Sequence, residues 1–539
     1  MNLPAGTWRW IAVAAALVFL NSTVTFHNVW PTLMIHWPGE LSIELSALLL
    51  TLALSNAWLG PTRPGALAAL SAVLVLFALG RYGDVTAPAL YGRPVNLYWD
   101  LPNVASVVGM LTRVAPGWMV ASVAIGAVLV LAVLYVAVRW SLGMVDHALR
   151  TRSIRSGVGL AGTLLIAAFT AQQSSDAIPR IPRFSIPVSR IYAQQAGRVL
   201  DTFSGSGALR TLPPSPSLRS SFSALSRDDV LLVFVESYGA VTYDRPAFSS
   251  TLQPARERLA AAARETGRAI VSGFVTSPTF GGSSWFAHIS VLTGIDVGDP
   301  NRYSLLMTQN RPTLVSSFKS AGYRAIAVMP GLRQPWPEGA FYGFDQIYGA
   351  PQLDYRGPEF GWWRIPDQFS LARLDALELQ PHPRHPLFVF FPTINTHMPF
   401  SPTPPLQSDW VRVLSRHPYD EKPLHTSLTE RPEWTDMGGG YVSTVGYALE
   451  TIASYLRERP HADFMMVILG DHQPAANVSG ESASWDVPVH VIASRPEVLA
   501  SLRAQGFTPG MEPERRAVAR MNELTPMLLT AFGQGPPAR

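Results

Sequence analysis

The chain has 539 residues, 47% hydrophobic and only 15% charged, with a formal net charge of +4 and a mean hydropathy of +0.15; a soluble domain carries about 25% charged residues, so part of this chain belongs in a membrane. The absence of Cys excludes disulfides, thiolate metal sites and Cys nucleophiles. Lys319 and Lys422 are the only lysines, and Arg carries the positive charge without forming a basic run, so nucleic acid is not an expected partner.

The apolar excess lies in the first third. Five hydrophobic stretches, about Trp8–Phe26, Leu41–Leu59, Gly65–Leu79, Trp118–Val138 and Gly157–Ala171, approach the roughly 20 residues that span a bilayer. The third and fifth are short, and Glu44 in the second suits an interface. The loop after the first stretch has no Lys or Arg, whereas Arg63 follows the second and Arg139, Arg150, Arg152 and Arg155 follow the fourth. Positive residues mark cytoplasmic loops, so the chain after the fifth stretch is expected outside the cytoplasm, and in the periplasm if the cell has an outer membrane. A long outer loop is expected between the third and fourth stretches, carrying Arg81–Asp84, Tyr91–Pro94 and Tyr98–Asp100, either as an aromatic interfacial belt or as a contact to a lipid head group or to the soluble domain.

From Ile178 to Leu200, Pro, Arg and apolar residues alternate. Val188, Ile191, Tyr192 and Val199 share a helix face beside Arg190 and Arg198, a pattern suited to an interfacial helix. Ser204–Ser226 is rich in Ser, Pro and Gly and reads as a linker. The expected organisation is a transmembrane domain over 1–175, a juxtamembrane segment and linker over 176–226, and a catalytic domain over 227–539.

In that last region strands are expected at Val230–Val235, Ala269–Phe274, Arg324–Met329, Leu387–Phe391 and Phe464–Leu469. Helices are expected at Leu252–Thr266, Ser284–Leu292, Arg311–Ala321 and Tyr441–Arg459. The alternation implies a mostly parallel sheet covered on both faces, with its site at the C-terminal strand ends. Polar residues sit at those ends. Glu236 closes Val-Phe-Val-Glu-Ser (Val233–Ser237), Asp471 and His472 close Ile-Leu-Gly-Asp-His (Ile468–His472), and His397 follows Leu387–Phe391. Ser284 follows Gly281, Gly282 and Ser283 at a helix start, where backbone amides favour an anion; either serine can cap that helix. A hydroxyl becomes a nucleophile when a metal lowers its pKa. Glu236, Ser284, Asp471 and His472 together offer a ligand set suited to one Mn²⁺ or Zn²⁺, with Mg²⁺ possible. His397 is placed to contact a phosphate or protonate a leaving group. His288, one turn after Ser284, faces either the same pocket or the core. Arg333, Trp336, Trp362 and Arg364 are further candidates for a substrate groove, with core packing or surface exposure as the alternative.

This pattern resembles the alkaline phosphatase superfamily, and within it the membrane-anchored sulfatase-like transferases, such as lipoteichoic acid synthases and the phosphoglycerol and phosphoethanolamine transferases of bacterial envelopes. The resemblance implies about five spans and an extracytoplasmic α/β sandwich of alkaline phosphatase/sulfatase type. It places the acidic metal ligand at Glu236, the metal pair at Asp471 and His472, and the substrate-side His at His397. Gly343–Gly349 matches a structural landmark. In the superfamily the nucleophile opens a helix that ends in Thr-Gly ten positions on; Thr293-Gly294 then selects Ser284, with Ser283 in reserve, and His288 falls where phosphodiesterase members also have His. The chain departs in using Ser rather than Thr, in lacking disulfides, and in lacking the Xaa-Pro-Xaa-Arg that formylglycine formation requires, which argues against sulfate hydrolysis. The expected function is transfer of a phospholipid head group, phosphoglycerol or phosphoethanolamine, through a Ser-phosphodiester to an envelope glycan or lipid. Two alternatives are a phosphodiesterase or phosphatase on the same scaffold and an inactive membrane binding protein.

Overall fold

The computed structural model describes residues 5–91, 94–101, 104–175, 178–203, 212–381 and 383–533. The chain divides into two compact units, Met1–Ser204 and Gly205–Arg539.

The first unit is helical. Its helices are α1 (Ala5–Thr25), α2 (Ile43–Trp58), α3 (Pro64–Tyr91), α4 (Val104–Val114), α5 (Gly117–Leu149), α6 (Arg152–Ser174) and α7 (Val188–Phe203). Among the described residues three helices are long and apolar enough to cross a membrane, Pro64–Leu90, Gly117–Leu149 and Arg152–Ser174; Trp10–Thr25 and Ile43–Trp58 are shorter apolar helices. A two-stranded hairpin, β1 (His27–Asn28) and β2 (Ile35–His36), lies between α1 and α2.

Three expectations change here. The third stretch does not stop at Leu79: α3 continues to Tyr91, so Arg81–Asp84 is helix rather than loop. The helix tolerates Arg81 because its buried guanidinium is met on several sides, by the Phe26 carbonyl at 2.8 Å, His27 at 3.0 Å and Asp84 at 4.0 Å. Leu97–Asp100 forms one helical turn, while Gly92 and Arg93 of the Tyr91–Pro94 string lie outside the described residues. Helix α5 likewise runs past Val138 to Leu149, because buried Asp146 accepts from Asn56 at 2.9 Å and from the Thr62 hydroxyl at 2.5 Å. Helix α7 is not simply laid on lipid: Tyr192 packs on Phe77 and donates to the Leu76 carbonyl at 2.6 Å, and Ser189 bonds Glu44.

The second unit is built on a nine-stranded sheet: β3 (Asp229–Val235), β4 (Ala269–Thr276), β5 (Arg324–Met329), β6 (Gln346–Gly349), β7 (Leu387–Pro392), β8 (Phe464–Gly470), β9 (Asp486–Ala493), β10 (Thr508–Pro509) and β11 (Ala517–Arg520). The order is β10-β4-β9-β8-β3-β7-β5-β6, with β11 beside β4. Only β9 and β10 run against the rest. Every residue of β3 and β8 is buried, the signature of central parallel strands covered on both faces. Leu231, Val233 and Val235 join a core with α8 (Pro246–Glu265) and α10 (Gly438–Glu458). Val230, Leu232 and Phe234 join the opposite core, with α9 (Ser284–Thr293).

The expected linker is corrected in its described part. Residues 212–226 are not a free tether: Leu212, Leu218, Phe222 and Leu225 are buried in the second core, where the Phe222 ring packs 4.7 Å from that of Phe318. Residues 204–211 lie outside the described set.

Candidate active site

Strand register brings the candidate ligands together. β3 pairs with β8 in parallel with Val235 opposite Gly470, so Glu236 and Asp471 leave the sheet side by side. Gly470 is required there, because a Cβ would sit 1.8 Å from the Tyr238 carbonyl oxygen. The chain turns sharply at Ser237 (φ 57°), whose N–H donates to Asp471 Oδ1 at 2.7 Å. On the other side β7 adds Thr393, whose hydroxyl accepts from the Glu236 N–H at 3.2 Å. The buried Tyr441 hydroxyl on α10 donates to the Ser237 carbonyl at 2.9 Å and accepts from the Gly239 N–H at 3.3 Å.

Ser284 is the first residue of α9. Its Oγ donates to Glu236 Oε2 at 2.9 Å and lies 3.2 Å from His472 Nε2. His472 Nε2 is 3.3 Å from Glu236 Oε1. His472 Nδ1 faces the Gln473 carbonyl at 2.7 Å; a carbonyl only accepts, so Nδ1 carries hydrogen and Nε2 faces the cluster. Ser283 takes the cap position with φ 64° and makes no side-chain cap bond. Of the two serines, Ser284 is the one that reaches the cluster.

Glu236, Asp471 and His472 each offer a ligand atom within 4.8 Å of the others, and all three are buried. Asp471 Oδ2 has no hydrogen-bond partner, a costly arrangement for a buried carboxylate oxygen. Two carboxylates, one imidazole nitrogen and a hydroxyl, one oxygen of the set being orphaned, fit a divalent metal. The electrostatics agree. Burial alone would raise the Glu236 pKa, but neighbouring His472 outweighs it and holds the carboxyl well below its usual range. Burial and the Glu236 charge push Asp471 up to about 7. Burial disfavours the His472 cation, yet Asp471 and Glu236 raise it to about 9. The cluster demands positive charge, which protons supply when no metal does.

His397 follows β7 in a loop held by Asp367, whose carboxylate accepts from the Ile394 and Asn395 N–H groups at 2.8 and 3.0 Å. Its Nδ1 lies 2.6 Å from the Met398 carbonyl and its ring packs edge-on to Trp363, leaving Nε2 available. His288 is wedged between Phe234 and Phe390, with ring centroids at 4.6 and 5.3 Å. Its Nε2 is buried without a partner, and burial lowers its pKa to about 4, so it is neutral beside Glu236 and His472. The groove candidates are held as follows. Trp336 packs on Tyr342 and over Gly339. Arg364 is exposed and pairs with Glu359. Arg333 bonds the Trp362 carbonyl and lies over the Trp362 ring. Tyr441, Thr393 and Asp367 escape sequence reasoning: each acts through backbone contacts with a segment distant in sequence, and no local pattern marks them.

A hydroxyl, two carboxylates and an imidazole thus converge at the C-terminal strand ends of an α/β sheet, an arrangement that can hold a divalent ion beside a nucleophile. Residues 228–491, within the second unit, match the sulfatase family model. No curated protein matches the chain in sequence. Among solved structures it is similar to the integral membrane lipooligosaccharide phosphoethanolamine transferase A (EptA) from Neisseria meningitidis, at 14% identity and TM-score 0.49, over 96% of this chain and 95% of that one. It is also similar to the lipoteichoic acid synthase LtaP from Listeria monocytogenes (12%, 0.37, 62% and 78%). A third is the Streptococcus pyogenes phosphoglycerol transferase GacH in complex with sn-glycerol-1-phosphate (13%, 0.36, 57% and 76%).

Proposed function

We propose that the protein transfers a phospholipid head group, phosphoglycerol or phosphoethanolamine, to a hydroxyl of an envelope glycan or lipid through a covalent Ser284 phosphodiester. The observation that carries this reading is the Ser284 hydroxyl between Glu236 Oε2 and His472 Nε2, 2.9 and 3.2 Å away. Helices long and apolar enough to cross a membrane suit a substrate that is itself a membrane lipid. The Arg distribution supports a catalytic unit outside the cytoplasm, in the periplasm of a cell with an outer membrane.

Glu236, Asp471, His472 and the Ser284 oxygen would hold one divalent ion, Mn²⁺ or Zn²⁺ by their chemistry. When bound it supplies Lewis acidity and lowers the pKa of the serine hydroxyl. In the first half-reaction Ser284 Oγ, its proton lost to solvent, bonds to phosphorus as the bond from phosphorus to the diacylglycerol oxygen breaks. His397 Nε2, freed by the bond at Nδ1, gives the departing oxygen its proton. In the second half the acceptor hydroxyl loses its proton to His397 and attacks phosphorus as the bond from phosphorus to Ser284 Oγ breaks, and Oγ takes a proton back from solvent. His288, neutral and walled by phenylalanines, narrows the apolar side of the pocket and adds no charge. Groups that stay fixed between the two halves need no reorganisation as charge develops.

The test is mass spectrometry of the full chain in detergent after incubation with Mn²⁺ and phosphatidylglycerol or phosphatidylethanolamine. A head-group phosphodiester on Ser284, absent from Ser284→Ala, is the expected result and names the donor. Cleavage of a simple phosphodiester with no adduct from either lipid would replace the transferase by a hydrolase. Neither adduct, cleavage nor bound metal would leave an inactive binding protein.

A further inference from the structure

The first unit has a groove of its own, formed by α5 and α1. It follows one face of α5, where Val136, Trp140, Gly143 and His147 succeed one another at helical spacing. Val13 of α1 closes one wall, and the cavity there measures about 560 Å³. A second hollow of about 470 Å³ extends it to Ala132 through the shared Val136 and Trp140. Ala132 and His147 are roughly 22 Å apart along the helix axis at about 1.5 Å per residue, close to the half-thickness of a bilayer with its head groups, about 21 Å.

The groove changes character along its length. Ala132, Val133 and Val136 make one end apolar, whereas Arg139, Trp140 and His147 gather at the other. Arg139 Nη2 donates to the Pro64 carbonyl at 3.4 Å, and Nη1 reaches one turn on, 3.6 Å from where a Cβ on Gly143 would stand. Among the described residues no carboxylate lies within ion-pair distance of Arg139. The acid nearest to it in sequence, buried Asp146, is taken by Arg150 at 3.6 Å and by Asn56 and Thr62. A cation beside hydrocarbon is costly without a counter-charge, and basic pockets between helices at the cytoplasmic face bind anionic head groups. The Arg distribution favours the cytoplasmic side for this end of α5. Any phospholipid could fill the apolar end; only an anionic head group also answers the guanidinium.

We propose that this groove binds one anionic phospholipid of the cytoplasmic leaflet, with an acyl chain along Val133, Val136 and Trp140 and the phosphate at Arg139 and His147. The site rests on the first unit spanning the membrane and stands or falls independently of head-group transfer. The chain has no Cys, so Met144→Cys gives a single attachment point for a bimane fluorophore inside the groove. The labelled full chain is placed in phosphatidylcholine nanodiscs that carry equal fractions of doxyl-labelled phosphatidic acid or doxyl-labelled phosphatidylcholine, and quenching is compared. Phosphatidic acid should be enriched at the bimane about fivefold, the equivalent of the roughly 1 kcal/mol that one Arg contributes at anionic lipid. Arg139→Gln should abolish the preference and Arg139→Lys should keep most of it. Arg152→Gln, at an exposed residue outside the groove, should leave it unchanged, and bimane at Val123→Cys, exposed elsewhere on α5, should report none. Equal quenching by the two lipids at position 144, or a preference that survives Arg139→Gln, overturns the proposal. So does an equal loss with Arg152→Gln or an equal preference at position 123, either of which means a diffuse surface field and no site.

Discussion

Replacing Tyr441 by Phe removes one oxygen from the centre of the domain and leaves the ring in place against Phe248 and Phe400. Burial keeps the Tyr441 hydroxyl protonated far above ordinary pH, so it serves as a fixed donor to the Ser237 carbonyl and acceptor from the Gly239 N–H. Without it both backbone groups are buried and unpaired. At about 1–3 kcal/mol for each such group, and with the 3.3 Å contact the weaker, the loss is roughly 3 kcal/mol. For a unit of this size, unfolding entropy of about 2.1 cal/mol/K per residue converts that into a Tm about 4 °C lower. Stability is only half of the expectation. The turn from Glu236 to Gly239 also fixes one ligand directly and Asp471 through the Ser237 N–H, so relaxing it should weaken Mn²⁺ binding by 10–100-fold, as loss of an outer hydrogen bond at a metal site does. Mn²⁺ titration followed by electron paramagnetic resonance, beside thermal unfolding of the same full-length sample, reads both. A lowered Tm with unchanged Mn²⁺ affinity would refute the positioning argument; no change in either would refute the hydrogen-bond accounting.

Metal binding should tighten with pH. His472 at about 9 and Asp471 at about 7 hold protons that an ion must displace, so affinity should rise about a hundredfold per pH unit below about pH 7, where two protons are released, about tenfold per unit from there to about pH 9, and level off above; chelator competition at pH 6, 7 and 8 checks it, and a flat profile would contradict it. Ser284→Ala should abolish turnover while the Tm stays within about 1 °C, since the hydroxyl serves the cluster rather than a cap; a large Tm loss would reveal a structural serine. His490, buried beside Ser272 and Tyr238, is pushed by burial down to about 3. A histidine kept neutral in the fold but titrating near 6.5 when unfolded contributes stability that is present above pH 6.5 and lost as pH falls from there towards 3, about 2 kcal/mol of it by pH 5. Urea unfolding at pH 7.5 and 5 should therefore show a larger loss in the wild type than in His490→Gln, and equal losses would rule out His490 as the source.

The parts of this fold that could be read in the sequence were those whose burial is continuous. β3 and β8 are unbroken apolar runs because helices cover both faces, and the residues just past them, Glu236, Asp471 and His472, stood out as polar exceptions. β9 did not read as a strand: Asp486–Ala493 includes Pro488 and His490, one unable to donate and the other polar, and it becomes an interior strand only because Ser272 and Tyr238 satisfy the imidazole. β6, four residues long, is too short to show a period. The third apolar stretch ends at Leu79 in the sequence because the charge of Arg81 follows, and only the Phe26 carbonyl, His27 and Asp84 show how α3 accommodates that charge and continues. Tyr441 could not be found at all, since its partner Ser237 lies 204 positions away.

The two halves of the Ser284 cluster are anchored in unlike material. Glu236 and Asp471 leave adjacent, fully buried strands in the middle of the sheet, where opening requires nearly the whole unit to unfold. Ser284 hangs from a partly exposed loop through Gly281, Gly282 and a left-handed Ser283, a segment of low local stability by comparison. The carboxylate half is thus the rigid part of the scaffold and the hydroxyl half its adjustable attachment. A descendant of this chain could lengthen or reshape the loop, and so change which molecule meets the hydroxyl, without disturbing the strands that set the charge.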